Sequence, residues 1–168
     1  MNDYRAIEVP MPIITPRLIL RPLEVRDAPF ILEAQQESWD ELSKWKIWTF
    51  APLDQMTVAI NEEFCCLKQE KFAVREDITL AVYHKETGKF IGGCGLHKCN
   101  WQDRSFSLGF WVRSSETGNG YASEIGNSLI YYAFETLSAK AITSFHETGN
   151  SASQRVLEKL GFRKATDL

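Results

Sequence analysis

A chain of 168 residues, 44% hydrophobic and 24% charged, has the length and composition of one ordinary globular domain able to bury a core. Its net charge of −3 and isoelectric point near 5.7 exclude a protein that holds nucleic acid through a broad basic face. No apolar run approaches the roughly 20 residues that span a bilayer, and the opening MNDYRAIEVPMP lacks the apolar centre of a signal peptide.

Residues 17–23, RLILRPL, read as a first strand with Leu18, Leu20 and Pro22 at alternate positions. Asp27 before Ala28-Pro29 marks a helix start, an oxygen cap and then a proline whose missing N–H costs nothing in the first turn. That helix runs to about Ser38. From Leu53 to Lys71, apolar residues recur at Leu53, Met56, Ile60, Phe64 and Leu67, which predicts an amphipathic helix packed on a core through that stripe. Within it, one of the adjacent Cys65 and Cys66 is expected to face inward as a small hydrophobe. With Cys94 and Cys99 they form no C-x-x-C pair, so the thiols read as reduced and the compartment as cytoplasmic. ITLAVY (78–83), a turn at Glu86–Lys89 and FIGGCGL (90–96) read as an antiparallel hairpin, and SFSLGFWV (105–112) as a further strand. A helix follows from about Tyr121 with Ala122, Ile125, Leu129, Ala133 and Leu137 along one stripe, then a strand at 141–146. Asn150 caps a last helix that stops at Gly161. There is no repeat or linker, so residues 1–168 read as a single domain of mixed α/β plan. Antiparallel strands precede one β-α-β crossover at 105–146.

The loop Gly118-Asn119-Gly120 sits between the first strand of that crossover and its helix, where unpaired N–H groups and the helix dipole attract an anion. A P-loop is excluded because no lysine follows Gly120. The dinucleotide fingerprint G-x-G-x-x-G is missed by one residue, and Lys140-Ala141 stand where its acidic residue belongs. A coenzyme A pyrophosphate and a plain tight turn that caps the helix both remain open.

The segment N150-S-A-S-Q-R-V-L-E-K-L-G-F162 resembles the C-terminal signature of GNAT-superfamily N-acetyltransferases of the RimJ/RimL type, which modify ribosomal-protein N-termini. "TPRLILRPLEVRDAPFILEAQQES" (15–38) is similar to that family's opening strand and helix. "GKFIGGCGL" (88–96) is similar to its third strand, and "SLGFWVRSSETGNGYASEIGNSLIYYAFE" to its acetyl-CoA motif. The resemblance covers residues 15–162 in order. It implies the GNAT acyl-CoA N-acyltransferase fold, a largely antiparallel central sheet with a β-α-β cofactor crossover, and acetyl-CoA as cosubstrate. Three positions depart from the pattern: Thr117 replaces a basic or amide residue, Ser107 an acidic one, and Leu157 the general-acid tyrosine of some members. The family continues beyond L-G-F with two more strands, whereas this sequence ends at Leu168, so the C-terminal strands are expected to be missing or very short.

By resemblance, backbone N–H groups near Trp111 and Val112 receive the pantetheine arm and polarise the thioester carbonyl. Amides of Gly118, Asn119, Gly120, Tyr121 and Ala122 take the pyrophosphate, Asn150 bonds the pantetheine chain, and Ser153 donates to the leaving sulfur. Asn150 and Ser153 read equally as parts of a helix cap. For the base, Glu147 lies nearest the expected acceptor entry; His146, and His97 and Asp103 around Trp101, carry no motif. Freeing a neutral amine at pH 7 costs about 1.4 kcal/mol for an α-amine of pKa 7.7–8.0 and about 4.6 kcal/mol for a lysine of 10.4. A site without an evident strong base therefore favours a protein N-terminus or a similarly acidic small amine. Trp39, Trp45, Trp48 and Phe50 between the first two helices read as a border of the acceptor groove or as core anchors. The expected partners are acetyl-CoA and an amine acceptor, with no nucleic acid or membrane, for a monomer or homodimer. A coenzyme A-binding module without catalysis and a dinucleotide-binding oxidoreductase are the competing classes.

Overall fold

A computed structural model of the chain describes residues 3–45 and 52–165. Six strands form one sheet in the order in which they occur: β1 (Ile13–Ile14), β2 (Leu18–Pro22), β3 (Ile78–His84), β4 (Phe90–Asn100), β5 (Ser105–Val112) and β6 (Ala141–Ser144). Neighbours pair antiparallel except β5 and β6, which are parallel and joined by the crossover helix α4 (Tyr121–Tyr131). The fold is thus the mixed α/β plan expected. β6 stops at Ser144 rather than residue 146, and among the described residues no strand follows α5 (Ser151–Lys159).

Alternation along the strands places Leu18, Leu20, Leu80 and Val82 on one face, all fully buried. They pack with Ile125, Leu129, Ala133 and Leu137 of the α4 stripe, which continues through a π-helical turn at Tyr132–Thr136. The opposite face carries Ala81 and Phe90 against Leu23, Ile31, Ala34 and Cys65, where α1 (Ala28–Glu37), which the short α2 (Trp39–Leu42) follows, and α3 (Val58–Ala73) cover the sheet. Of the paired cysteines, Cys65 is buried and Cys66 exposed, as expected for a small apolar side chain on an inner helix face.

Two local expectations are corrected. Asp27 stands at the N-cap of α1 but its side chain makes no cap bond to that helix. It accepts instead from the Glu24 N–H at 2.8 Å, from both Arg21 nitrogens at 2.9 and 2.7 Å, and from the Tyr83 hydroxyl. A fully buried carboxylate needs that many donors, and they outweigh burial to hold it below the usual carboxylate range. Second, the Leu53–Leu67 stripe is not packed on the core: Ile60, Phe64 and Leu67 are 42%, 39% and 48% exposed, while Asn61 and Cys65 are the buried positions of α3. Leu53 lies in a separate 3-10 turn, Leu53–Gln55, and Thr57 begins the helix by accepting from the Ile60 N–H at 3.2 Å. Of the stripe, Met56, Ile60 and Phe64 border a cavity rather than a packed interior.

Candidate active site

The parallel pairing of β5 and β6 ends at Leu108↔Ser144, where the Ser144 hydroxyl donates to the Leu108 carbonyl at 2.8 Å. β5 runs on through Gly109–Val112 without β6 beside it. A cleft of about 1140 Å³ opens at this fork. One wall is Gly109–Val112 and the other holds Ser144, His146, Asn150 and Ser153; the glycine loop and first turn of α4 close one end.

The loop is shaped by two left-handed glycines, Gly118 at φ 81° and Gly120 at φ 80°. A Cβ at Gly118 would meet nothing within 4 Å, and one at Gly120 only Arg17 Nη2 at 3.6 Å, so the requirement is conformational rather than spatial. Gly120 is the N-cap of α4 and has no side chain to cap it, which leaves first-turn amides directed at the cleft. Arg17, distant in sequence, fixes the loop: its Nη1 donates to the Asn119 carbonyl at 2.9 Å and its Nε to Glu124 Oε2 at 2.7 Å. Glu124 also accepts from the Thr15 hydroxyl at 2.6 Å and the Arg17 N–H at 2.9 Å. Thr117 turns its hydroxyl to its own turn, donating to Ser114 O at 2.9 Å. Arg155 and Lys159 of α5 bring positive charge to the cleft wall.

Of the residues singled out from the sequence, Trp111, Val112, Gly118, Gly120, Tyr121, Ala122, Asn150 and Ser153 all line this cleft. Asn119 and Glu147 do not: the Asn119 side chain donates to Glu116 O at 3.2 Å, and the Glu147 carbonyl receives the Asn150 N–H at 3.0 Å. Asn150 Oδ1 accepts from the Ser153 N–H at 3.1 Å, so the cap uses the serine's backbone and not its hydroxyl. Leu157 is 6% exposed, turned to the core beside Val156, which lines the cleft. Asp103 closes an exposed turn with Asn100 at 2.8 and 3.0 Å, away from both cavities. Trp45 lines the cleft and Trp39 is half-buried; Trp48 and Phe50 lie outside the described residues.

A second cavity of about 340 Å³ lies beneath α1 and α3, and shares His97, Gly109, Phe110 and Trp111 with the cleft. Its floor is kept low by glycines of β4 and β5. A Cβ at Gly93 would come within 2.6 Å of Trp111 Nε1, and one at Gly109 within 3.2 Å of His97 Nε2 and Cδ2. His97 Nδ1 meets Asp77 Oδ1 at 2.5 Å; Asp77 Oδ2 bonds Lys68 of α3 and accepts from Thr79 at 3.2 Å. Burial pushes the Asp77 carboxyl up, but the bonds and charges of His97 and Lys68 prevail and hold it at about 2. The sequence shows His97 only as an unmotivated histidine, because its partner stands 20 residues earlier, just before β3.

The Acetyltransferase (GNAT) domain family matches residues 17–163. The chain is 30% identical over 150 residues to an uncharacterised N-acetyltransferase, YoaA, of Bacillus subtilis, covering 89% of this chain and 81% of that one. Among solved structures, ribosomal-protein-S5-alanine acetyltransferase from Vibrio fischeri superposes with a TM-score of 0.80 at 18% identity, over 92% of this chain and 84% of that one. RimJ of Mycobacterium smegmatis, in complex with CoA-disulfide, superposes with a TM-score of 0.77 at 23% identity, over 89% and 71%. The forked strands, the helix that starts uncapped at their mouth and the family match lead to one conclusion: this chain belongs to the GNAT family and is an N-acetyltransferase.

Proposed function

We propose that the protein transfers the acetyl group of acetyl-CoA to a primary amine by direct attack on the thioester, and that the amine is a protein N-terminal α-amine of the ribosomal-protein type. The observation that carries the cofactor is the bare N-terminus of α4, with Gly120 as its N-cap, at the end of the cleft between β5 and β6. Amides of Gly118, Gly120, Tyr121 and Ala122 fit the pyrophosphate, with Arg155 and Lys159 adding positive charge. β5 at Trp111 and Val112, which line the cleft beyond the last β5–β6 pair at Leu108↔Ser144, fits the pantetheine arm and carries the N–H groups that polarise the carbonyl. Asn150 spends its oxygen on the α5 cap, which leaves its NH₂ for the same arm. The Ser153 hydroxyl, beside it on the cleft wall, donates to the departing sulfur. A Cys94 thiolate that would take the acetyl group as a thioester is disfavoured, since burial pushes the Cys94 thiol far above its usual range.

The acceptor class is supported by the ribosomal-protein-S5-alanine acetyltransferase among the similar structures and by the low cost of freeing an α-amine. Thermal denaturation with acetyl-CoA, CoA and NAD tests the cofactor. Acetyl-CoA at 100 times its Kd stabilises by about 2.7 kcal/mol, and NAD at the same concentration leaves the transition in place. Absence of any acetyl-CoA binding at millimolar ligand in calorimetry overturns the reading.

A further inference from the structure

The cavity beneath α1 and α3 combines three properties. Its walls are largely apolar, with Leu23, Ile31, Met56, Phe64, Phe90 and Phe110 among them. No carboxylate belongs to its lining among the described residues, and its polar side chains on the helix side are the neutral pair Asn61 and Gln35, Asn61 donating at 2.9 Å, and Lys68, whose ammonium is engaged by Asp77. It meets the cofactor cleft at His97, among the described residues the one ionisable side chain common to both. We propose that His97, oriented by Asp77, takes the proton of the attacking amine, and that this cavity seats the side chain of an apolar N-terminal residue that carries that amine. The proposal rests on the acetyl-transfer reading above.

Geometry assigns the proton on the ring. Asp77 is an acceptor only, so the Nδ1 facing it carries the hydrogen and Nε2 of the neutral imidazole keeps its lone pair. Nε2 lies along the Gly109 backbone, on the wall that leads to Phe110 and Trp111, where the thioester is expected. The charged groups around the ring are Asp77 from β3's start, Lys68 of α3 bonded to that same carboxylate, and Lys98, next in β4; β5 presents neutral Ser107 opposite. In the transfer, the amine lone pair forms the C–N bond and the C–S bond breaks with its pair on sulfur. The N–H proton passes to Nε2, and one proton reaches the thiolate, so an amide and a thiol result.

The same lining sets the acceptor. A lysine ammonium entering here finds no counter-charge, and burying it unpaired is costly, whereas an α-amine is released as the neutral base far more readily. The apolar walls hold an aliphatic or aromatic side chain, and the Gln35–Asn61 amides are matched to a neutral peptide group.

The test uses Leu-Gly-Gly, Asp-Gly-Gly and Nα-acetyl-lysine as acceptors. The wild type should favour Leu-Gly-Gly at least 10-fold in kcat/KM, and Leu-Gly-Gly alone should quench tryptophan fluorescence without acetyl-CoA. His97→Ala should lower kcat/KM about 100-fold or more, the usual scale of general-base catalysis, with acetyl-CoA affinity retained. Added imidazole should restore part of that rate with saturation, which a packing role does not produce. Asp77→Asn should lower kcat more than it raises KM, while Phe64→Ala, at a part-exposed cavity wall, should raise KM for Leu-Gly-Gly alone. Most of the rate surviving in His97→Ala, failure of imidazole to restore it, or equal use of Asp-Gly-Gly overturns the proposal. So does a wild type that binds acetyl-CoA yet acetylates none of the three. Failure to bind acetyl-CoA at all refutes instead the reading beneath it.

Discussion

Gly120 and Ser153 show how a single position separates backbone shape from side-chain chemistry. Gly120 holds φ 80° with only Arg17 Nη2 within 4 Å of an added Cβ, so the main obstacle to Gly120→Val is a backbone region that a β-branched residue avoids, at about 1–3 kcal/mol. Either the loop or the ligand suffers, and acetyl-CoA affinity should fall about 10-fold or more in calorimetry. Thr117→Ala removes only a bond to Ser114 within the turn, and its affinity should match the wild type. Comparable losses at both positions contradict a cradle made of backbone amides. For Ser153, the cap engages the N–H, so Ser153→Ala keeps the cap and the melting temperature. If the hydroxyl stabilises the developing thiolate, kcat falls about 10–100-fold with acetyl-CoA affinity unchanged, because a hydrogen bond to a charged group contributes roughly 1.5–3 kcal/mol. An unchanged kcat removes Ser153 from the chemistry.

At the scale of elements, an ion-pair cluster fastens α1 to the turn that carries the cofactor loop. Arg113, 4% exposed, donates to Glu37 at 3.0 Å, to Glu33 at 2.6 Å and to the Phe90 carbonyl at 3.2 Å. Glu37 also accepts from the Ser115 N–H at 2.7 Å, and Ser38 from the Ser114 N–H at 2.9 Å. The Arg113 bond, opposed by burial and aided by Ser115, holds the Glu37 carboxyl at about 2 against an ordinary 4.5. A depressed carboxylate stabilises fully above its unfolded value and is lost as pH falls, so this contribution disappears between about pH 4.5 and 2. Denaturant titrations across that range should show a shallower fall for Glu37→Gln than for the wild type, from a lower plateau at neutral pH. Parallel curves displaced by a constant amount rule out this linkage. For α5, Asn150→Ala removes the cap oxygen and should cost about 1 kcal/mol of stability, read as a lower denaturant midpoint, together with weaker acetyl-CoA binding.

Across the whole molecule, what was legible in the sequence is what short-range periodicity records. The β3–β4 hairpin, the α4 stripe and the Asn150 cap follow from spacing within a few residues, and the glycine loop advertises its own backbone. The α3 stripe misled because periodicity reports which side chains share a face, not whether that face meets a core or a cavity. Arg17 and Glu124 stand 107 residues apart, Glu37 and Arg113 76 apart, and His97 of β4 and Asp77 before β3 20 apart; only the folded sheet order brings each pair together. The cleft and the smaller cavity meet at His97 of β4 and Gly109–Trp111 of β5, while the rest of each lining is its own. Nothing then obliges one reactant to leave before the other arrives. Initial-rate plots at several fixed acceptor concentrations should intersect rather than run parallel, and a single molecule in which coenzyme A is tethered through a short bridge to a peptide α-nitrogen should compete with both reactants at once.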